Sequence, residues 1–203
     1  MITVTRKTTE SSIAVSIDKG ELRPDYRKQI RTPLPFLNHM IEHIAWRAGL
    51  NICIDLKLSD FELVHLVTED VSMTLGKAVG EFVKRNAVSG YGFGKGIIDE
   101  AKAEAVISFE DRSLLDFTSQ VSYGEMVEGM PAEELITFLD GFCQGARATM
   151  HIDIEKGENG HHIWEAVYRA FGIALGQALS VDEARKGLTS GVAGKVTYAV
   201  TEG

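Results

Sequence analysis

Gly160-His161-His162-Ile163-Trp164-Glu165 sets two adjacent imidazoles ahead of a carboxylate, at the start of an apolar helical pattern that runs to Leu179. Positions four apart on a helix share a face, so His161 and Glu165 converge on one point. His162 lies about 100° further round and points elsewhere, free to serve a second centre. Neutral imidazole with carboxylate is a donor set suited to Zn, Mn or Fe. A His-His pair near a helix start is also what a capped, solvated turn looks like, so the pair needs support from elsewhere in the chain.

That support is a second copy. At an offset of 96 (161 minus 65), His65 falls on His161, Glu69 on Glu165 and Val71 on Val167. The same offset pairs Gly76 with Gly172, Ala78 with Ala174 and Gly80 with Gly176. Both candidate ligands are among these identities. Internal repetition of this kind changes the whole fold assignment.

The elements that must position these residues follow the same duplication. Residues 11–18 alternate like a half-buried strand, and Gln29 to Thr32 has the look of another short one. Pro33 and Pro35 open a helix over Phe36 to Arg47, closed by Gly49. Asn51 to Leu58 alternates as a strand and leads into the His65–Glu69 motif, whose helix runs to about Lys84. The glycine-rich run Gly90 to Gly96 fits neither the dinucleotide fingerprint nor the phosphate-binding lysine motif and reads as a hairpin or linker. Ala103 to Phe109 and Leu114 to Val121 are strand-like, Pro131 opens a helix through about Arg147, and Met150 to Ile154 is a strand carrying His151. Phe138-Leu139-Asp140 echoes Phe36-Leu37-Asn38. Each half then reads as about βββαβα, residues 1–88 and 89–203, and two sheets backed by helices give an α/β (α+β) two-layer sandwich as one compact unit.

Composition narrows the function. The chain has 203 residues, 44% hydrophobic and 25% charged, with a formal charge of −8. That acidity argues against nucleic acid or an anionic membrane surface as partner. No apolar run is long enough to span a membrane, and the first residues lack a signal-peptide core, so the expected location is cytoplasmic. Cys53 and Cys143 read as a pair of buried thiols. The six histidines, His39, His43, His65, His151, His161 and His162, all lie near the repeated elements. His39 and His43 are four apart and share a helix face.

At this point the chain resembles the imidazoleglycerol-phosphate dehydratase family, over nearly its whole length. Thr9-Glu10-Ser11, Phe36-Leu37-Asn38-His39-Met40, Asp99-Glu100-Ala101, His151 and the His161-His162-x-x-Glu165 block carry the likeness. The resemblance implies a duplicated α/β unit like that of a small-subunit ribosomal protein, assembly into a large homo-oligomer, commonly of 24 subunits, and manganese bound between subunits. It implies metal ligation by His39, His65, Glu69, His151, His161, His162 and Glu165. It implies a metal-assisted elimination of water from a small phosphorylated substrate of histidine biosynthesis, that is, a carbon–oxygen lyase. By position, Glu10 and Asp99 would be the proton-handling catalytic carboxylates. Arg112 and Arg169 would hold the phosphate, Ser190 matches a phosphate-loop serine, and His43 stands where the family carries a substrate-facing glutamine.

The departures fall on functional positions. Leu66 occupies the slot of a second imidazole, so one metal site per subunit, rather than two, is expected to be firmly held. The family's Asp-Asp before that motif is Leu63-Val64. Gly90 replaces an arginine, and the family's C-terminal Ser-Thr-Lys-Gly becomes Ser190-Gly191-Val192-Ala193, with Lys195 displaced. Three readings stay open on the sequence: the family's own reaction, a lyase of the same fold on another imidazole-bearing or small polar substrate, and a non-catalytic paralogue.

Overall fold

The computed structural model describes residues 1–60 and 62–201; Phe61 and the last two residues lie outside it. Strand β1 (Ile2–Lys7) pairs antiparallel with β2 (Ser11–Asp18). Helix α1 (Pro35–Ala48) begins with its proline in the first turn, where a missing N–H costs nothing. It ends at Gly49, whose left-handed backbone (φ 59°) closes the last turn. Strand β3 (Asn51–Leu58) then pairs with β2, giving a three-stranded sheet in which Val4, Val15 and Ile54 lie side by side. Helix α2 (Val64–Arg85) carries the first histidine motif and packs across β2 and β1. Asp70, 1% exposed, ties the two together: it accepts from the Ser11 hydroxyl and pairs with Arg6.

The second half repeats this order. Strands β4 (Tyr91–Ile98), β5 (Ala101–Ser108) and β6 (Leu114–Ser119) precede a two-residue hairpin, β7 (Met126–Val127) and β8 (Met130–Pro131). Helix α3 (Ala132–Ala146), β9 (Thr149–Lys156) and α4 (Gly160–Ala178) follow. The sheet runs β4-β5-β9-β6, antiparallel except that β6 lies parallel to β9. The fold is α+β, with α2 on the first sheet and α4 on the second. The halves meet through two helix crossings, α1 on α4 and α2 on α3.

The repeated glycines sit at those crossings. A Cβ on Gly76 would strike the Phe142 carbonyl, and one on Gly80 would fall 2.8 Å from the Ala146 carbonyl oxygen. Gly172 and Gly176 do the same job against α1, where a Cβ would lie 2.8 Å from Arg47 Cβ and 3.0 Å from Ala48 Cα. Close helix approach, rather than backbone flexibility, is what the repeat preserves.

Four local expectations change. The glycine-rich run is strand β4, not a hairpin or linker. Gly92, Gly94 and Gly96 form its buried face, and Cβ atoms there would strike the Ala174, Ala170 and Ala166 carbonyls of α4. Residues 29–32 form no strand: Tyr26–Gln29 is a 3-10 turn and Ile30 is buried singly, so the first half is ββαβα. The edge strand β1, unassigned from the sequence, alternates Ile2 and Val4 with Thr3 and Thr5 and is half-buried at every second residue. Finally, Phe138-Leu139-Asp140 is not the counterpart of Phe36-Leu37-Asn38. The left-handed caps Gly49 and Arg147, and the starts of β3 and β9, align α1 with α3 at an offset of 98 (147 minus 49). Met40 then answers Phe138, and His43 answers Gly141. Cys143 is buried and Cys53 half-buried, both free; burial pushes the Cys143 thiol up to about 12. No helix of the described residues is long and apolar enough to cross a membrane.

Candidate metal and active site

Helix α4 opens on Asn159, whose side chain caps the backbone N–H groups of His161 and His162. That cap fixes where the two imidazoles leave the helix. His161 turns down the helix to Glu165, Nε2 to Oε2 3.3 Å, as a spacing of four requires. Its other nitrogen faces Glu128 Oε1 at 3.0 Å, and its ring lies against Phe36 at 5.2 Å between centroids.

Glu165 is the hub, at only 4% exposure. Across the α1–α4 crossing, His39 Nε2 stands 3.5 Å from its Oε2 and His43 Nε2 3.2 Å from its Oε1. The two α1 imidazoles face each other, Nε2 to Nε2, at 3.3 Å. Arg169, one turn along α4, pairs with Glu165 Oε1 and donates to the Ile97 carbonyl at 2.8 Å. Burial works to raise the Glu165 carboxyl, but the neighbouring charges of His43, Arg169 and His39 win and hold it below its usual range. Burial drives His43 down to about 4, with Glu165 opposing and His39, Arg169 and Arg47 adding to the fall. A neutral imidazole beside an ionised carboxylate results, which is the protonation state a metal needs. Among the described residues, His39, His43 and Glu165 are the one set of three such side chains whose ligand atoms lie within 4.8 Å of one another.

His162 leaves the helix in the other direction. Its Nδ1 lies 2.8 Å from Glu100 Oε2, and its Nε2 3.6 Å from Asp99 Oδ2. Glu100 also accepts the backbone N–H groups of Glu158 and Asn159, at 3.1 and 2.9 Å. The Asn159 backbone bond, then the His162 bond and the other backbone bonds, hold its carboxyl at about 2. The Glu100 bond in turn raises His162. Asp99 sits in the tight β4–β5 turn with a left-handed backbone (φ 43°) and an exposed carboxylate.

The remaining sequence-identified residues stand apart from this cluster within the chain. His65 Nδ1 lies 3.2 Å from both oxygens of Glu134 at the start of α3, rather than engaging Glu69, which is half-buried. Leu66 is 8% exposed. His151 pairs with Asp116 across β9 and β6 at 3.1 Å. Glu10 lies in the β1–β2 turn, the counterpart of the turn that holds Asp99. Arg112 is exposed, with its carbonyl accepting from Thr149. Ser190 donates to the Phe109 carbonyl, and a side chain on Gly90 (φ 68°) would collide with it. Ser190 and Lys195 help line a cavity of about 410 Å³ with Lys84 and Arg147.

Glu134, Glu128 and Phe36 were missed as partners of the motif histidines. Phe36 and Glu134 occupy equivalent places on α1 and α3, so the offset of 98 would have flagged both.

A duplicated α+β frame with imidazoles and a carboxylate gathered at one helix crossing defines the class. The model of the family described as imidazoleglycerol-phosphate dehydratase matches residues 32–175. The chain is 35% identical to imidazoleglycerol-phosphate dehydratase of Burkholderia pseudomallei over 185 residues, covering 91% of this chain and 93% of that protein. It is similar in structure to imidazoleglycerol-phosphate dehydratase from Staphylococcus aureus, with a TM-score of 0.75 at 31% identity, over 89% of this chain and 99% of that one. The enzyme from Pyrococcus furiosus superposes with a TM-score of 0.71 at 29% identity, over 89% and 95%. The chain belongs to the imidazoleglycerol-phosphate dehydratase family, whose members are carbon–oxygen lyases.

Proposed function

We propose that the chain is a metal-dependent dehydratase that removes water from imidazoleglycerol phosphate in histidine biosynthesis, working in the cytoplasm as a large homo-oligomer. The observation that carries the reading is the convergence of His39, His161 and Glu165 at the α1–α4 crossing, in a chain of this family. The donor set fits a divalent transition metal, manganese among them: imidazoles, a carboxylate held ionised, and outer carboxylates (Glu42 at 3.6 Å from His39 Nδ1, Glu128 on His161) that orient the rings. His65, Glu69, His151 and His162 stand outside the cluster and would complete a centre only with a neighbouring copy. Leu66 offers no ligand, so one firmly held ion per subunit is the expectation.

A bound metal would act as a Lewis acid that makes the substrate's imidazole easier to deprotonate. The chain's own residues do the rest. Ionised Glu100 accepts the Nδ1–H of His162 and so holds the ring with its Nε2 toward Asp99. Asp99, held out of the turn with an unencumbered oxygen, is placed to take a proton from the carbon next to the departing hydroxyl. Glu10, in the equivalent turn of the first half, is the partner carboxylate, reaching a site in another copy. Arg169 clamps Glu165, and Arg112 and Ser190 are the candidates for the phosphate.

The test is growth of a histidine auxotroph that lacks the dehydratase. Expression of this chain restores growth without histidine, and the purified manganese-loaded protein converts imidazoleglycerol phosphate to the corresponding ketone. A folded, metal-loaded protein that does neither sinks this reading in favour of another imidazole-bearing substrate.

A further inference from the structure

His43 lies on the same face of α1 as His39, one turn along, and half-buried. Its Nε2 has two close neighbours, His39 Nε2 at 3.3 Å and Glu165 Oε1 at 3.2 Å. Two imidazole nitrogens bound at 2.0–2.1 Å to one ion at a tetrahedral angle stand about 3.3 Å apart. The spacing of the two Nε2 atoms is therefore the spacing of adjacent ligands. All three ligand atoms lie within 4.8 Å of one another.

The surroundings prepare the His39 ring for this. His39 Nδ1 faces Glu42 Oε2 at 3.6 Å, and Glu42 is held from outside by Arg27 Nε at 3.2 Å. A carboxylate behind Nδ1 fixes the tautomer in which Nε2 is the free lone pair. Glu165 divides its oxygens: Oε1 serves Arg169 and His43, and Oε2 faces His39 and His161. His39, His43 and Glu165 all come from α1 and α4 of the same chain.

We propose that His43 is a metal ligand, so that His39, His43 and Glu165 form a two-imidazole, one-carboxylate set supplied by a single chain. This rests on the metal-dependent reading above and sharpens it. Such a set leaves coordination positions open for a nitrogen or oxygen of the substrate. It also predicts that this ion is held before subunits assemble, whereas a centre built from His65 or His151 needs a neighbour.

The test is calorimetric titration of the metal-stripped full-length protein with Mn²⁺, repeated with Co²⁺ while the visible spectrum is followed. Wild type binds at least one ion per chain. His43→Gln weakens that site by about tenfold or more and alters the cobalt spectrum, because an imidazole leaves the ion. Unchanged affinity and an unchanged spectrum in a folded His43→Gln protein overturn the assignment of His43 and leave the metal-dependent reading standing. No binding of either ion by wild type overturns both. If the variant does not fold, anomalous diffraction at the manganese edge on wild type decides. A peak within bonding distance of His43 Nε2 supports the proposal; a peak bonded to His39 and Glu165 but not to His43 overturns it.

Discussion

At the α1–α4 crossing Glu165 meets two imidazoles from the facing helix; at the equivalent α2–α3 crossing the counterpart of His43 is Gly141, packed against Ser72 and the Glu69 carbonyl. The counterpart of His39 is Thr137, whose hydroxyl bonds back to the Glu133 carbonyl of its own helix. Where Phe36 lies against His161, Glu134 pairs with His65. The two crossings share a backbone plan and have diverged in what fills them. Both are held close by glycines, but α1–α4 also carries side chains that can ligate where α2–α3 has Thr137 and Gly141. A duplicated fold can thus dedicate one copy of a crossing to chemistry while the other keeps the halves together.

The sharpest way to break that contrast is to remove the carboxylate from each copy. Glu165→Gln leaves Arg169 and the imidazoles around a neutral amide in a buried place. Breaking a buried charged pair in this way costs about 3 kcal/mol or more. Glu69→Gln removes a half-buried carboxylate with no hydrogen bond or ion pair among the described residues, and should stay within about 0.5 kcal/mol. Urea unfolding of the metal-stripped variants measures both. Equal losses would mean the two crossings are not specialised.

Next comes the tightness of the crossings. Gly76→Ala drives a methyl into the Phe142 carbonyl and to 2.9 Å from the Ala146 nitrogen, both backbone. Gly172→Ala meets Arg47 Cβ at 2.8 Å and the His43 carbonyl at 3.0 Å, where a small shift of α1 suffices. Overpacking costs about 1–3 kcal/mol, so Gly76→Ala belongs at the upper end and Gly172→Ala at the lower. Thermal unfolding gives the order, and a reversed order would show that α2–α3 is the looser crossing.

Much of this was legible in the residues, and what was not has a physical cause. The spacing of His161 and Glu165 gave their shared point, and the angular step to His162 gave its separate direction. The offset of 96 found the paired motif helices because four of its six identities are valine, alanine and glycine positions that pack. Glycines 92, 94 and 96 misled because glycine in a strand usually marks a bend, whereas here it admits the carbonyls of α4. The α1–α3 match was misaligned because three similar letters outweighed the capping positions, and only left-handed Gly49 and Arg147 fix the register. The partners of the motif histidines come from α1, α3, the β4–β5 turn and the β7–β8 turn, contacts up to 125 residues apart in sequence (161 minus 36) that no local pattern encodes.

The smallest expected effect concerns acid. In the metal-free fold His43 titrates at about 4, against 6.5 for an ordinary histidine. Between those values the unfolded chain binds the proton and the folded chain does not, so stability rises with pH through this window. The contribution is therefore fully present above about pH 6.5 and is lost as pH falls toward about 4. Partial exposure of the ring and the opposing pull of Glu165 keep the effect below those of the two substitutions above. His43→Gln removes this titration, so the stability of the metal-free wild type relative to that variant should fall between about pH 7 and about pH 5. The corresponding change at Gly141, which has no side chain to titrate, cannot arise; an acid sensitivity that survives His43→Gln would place the proton uptake at groups other than His43.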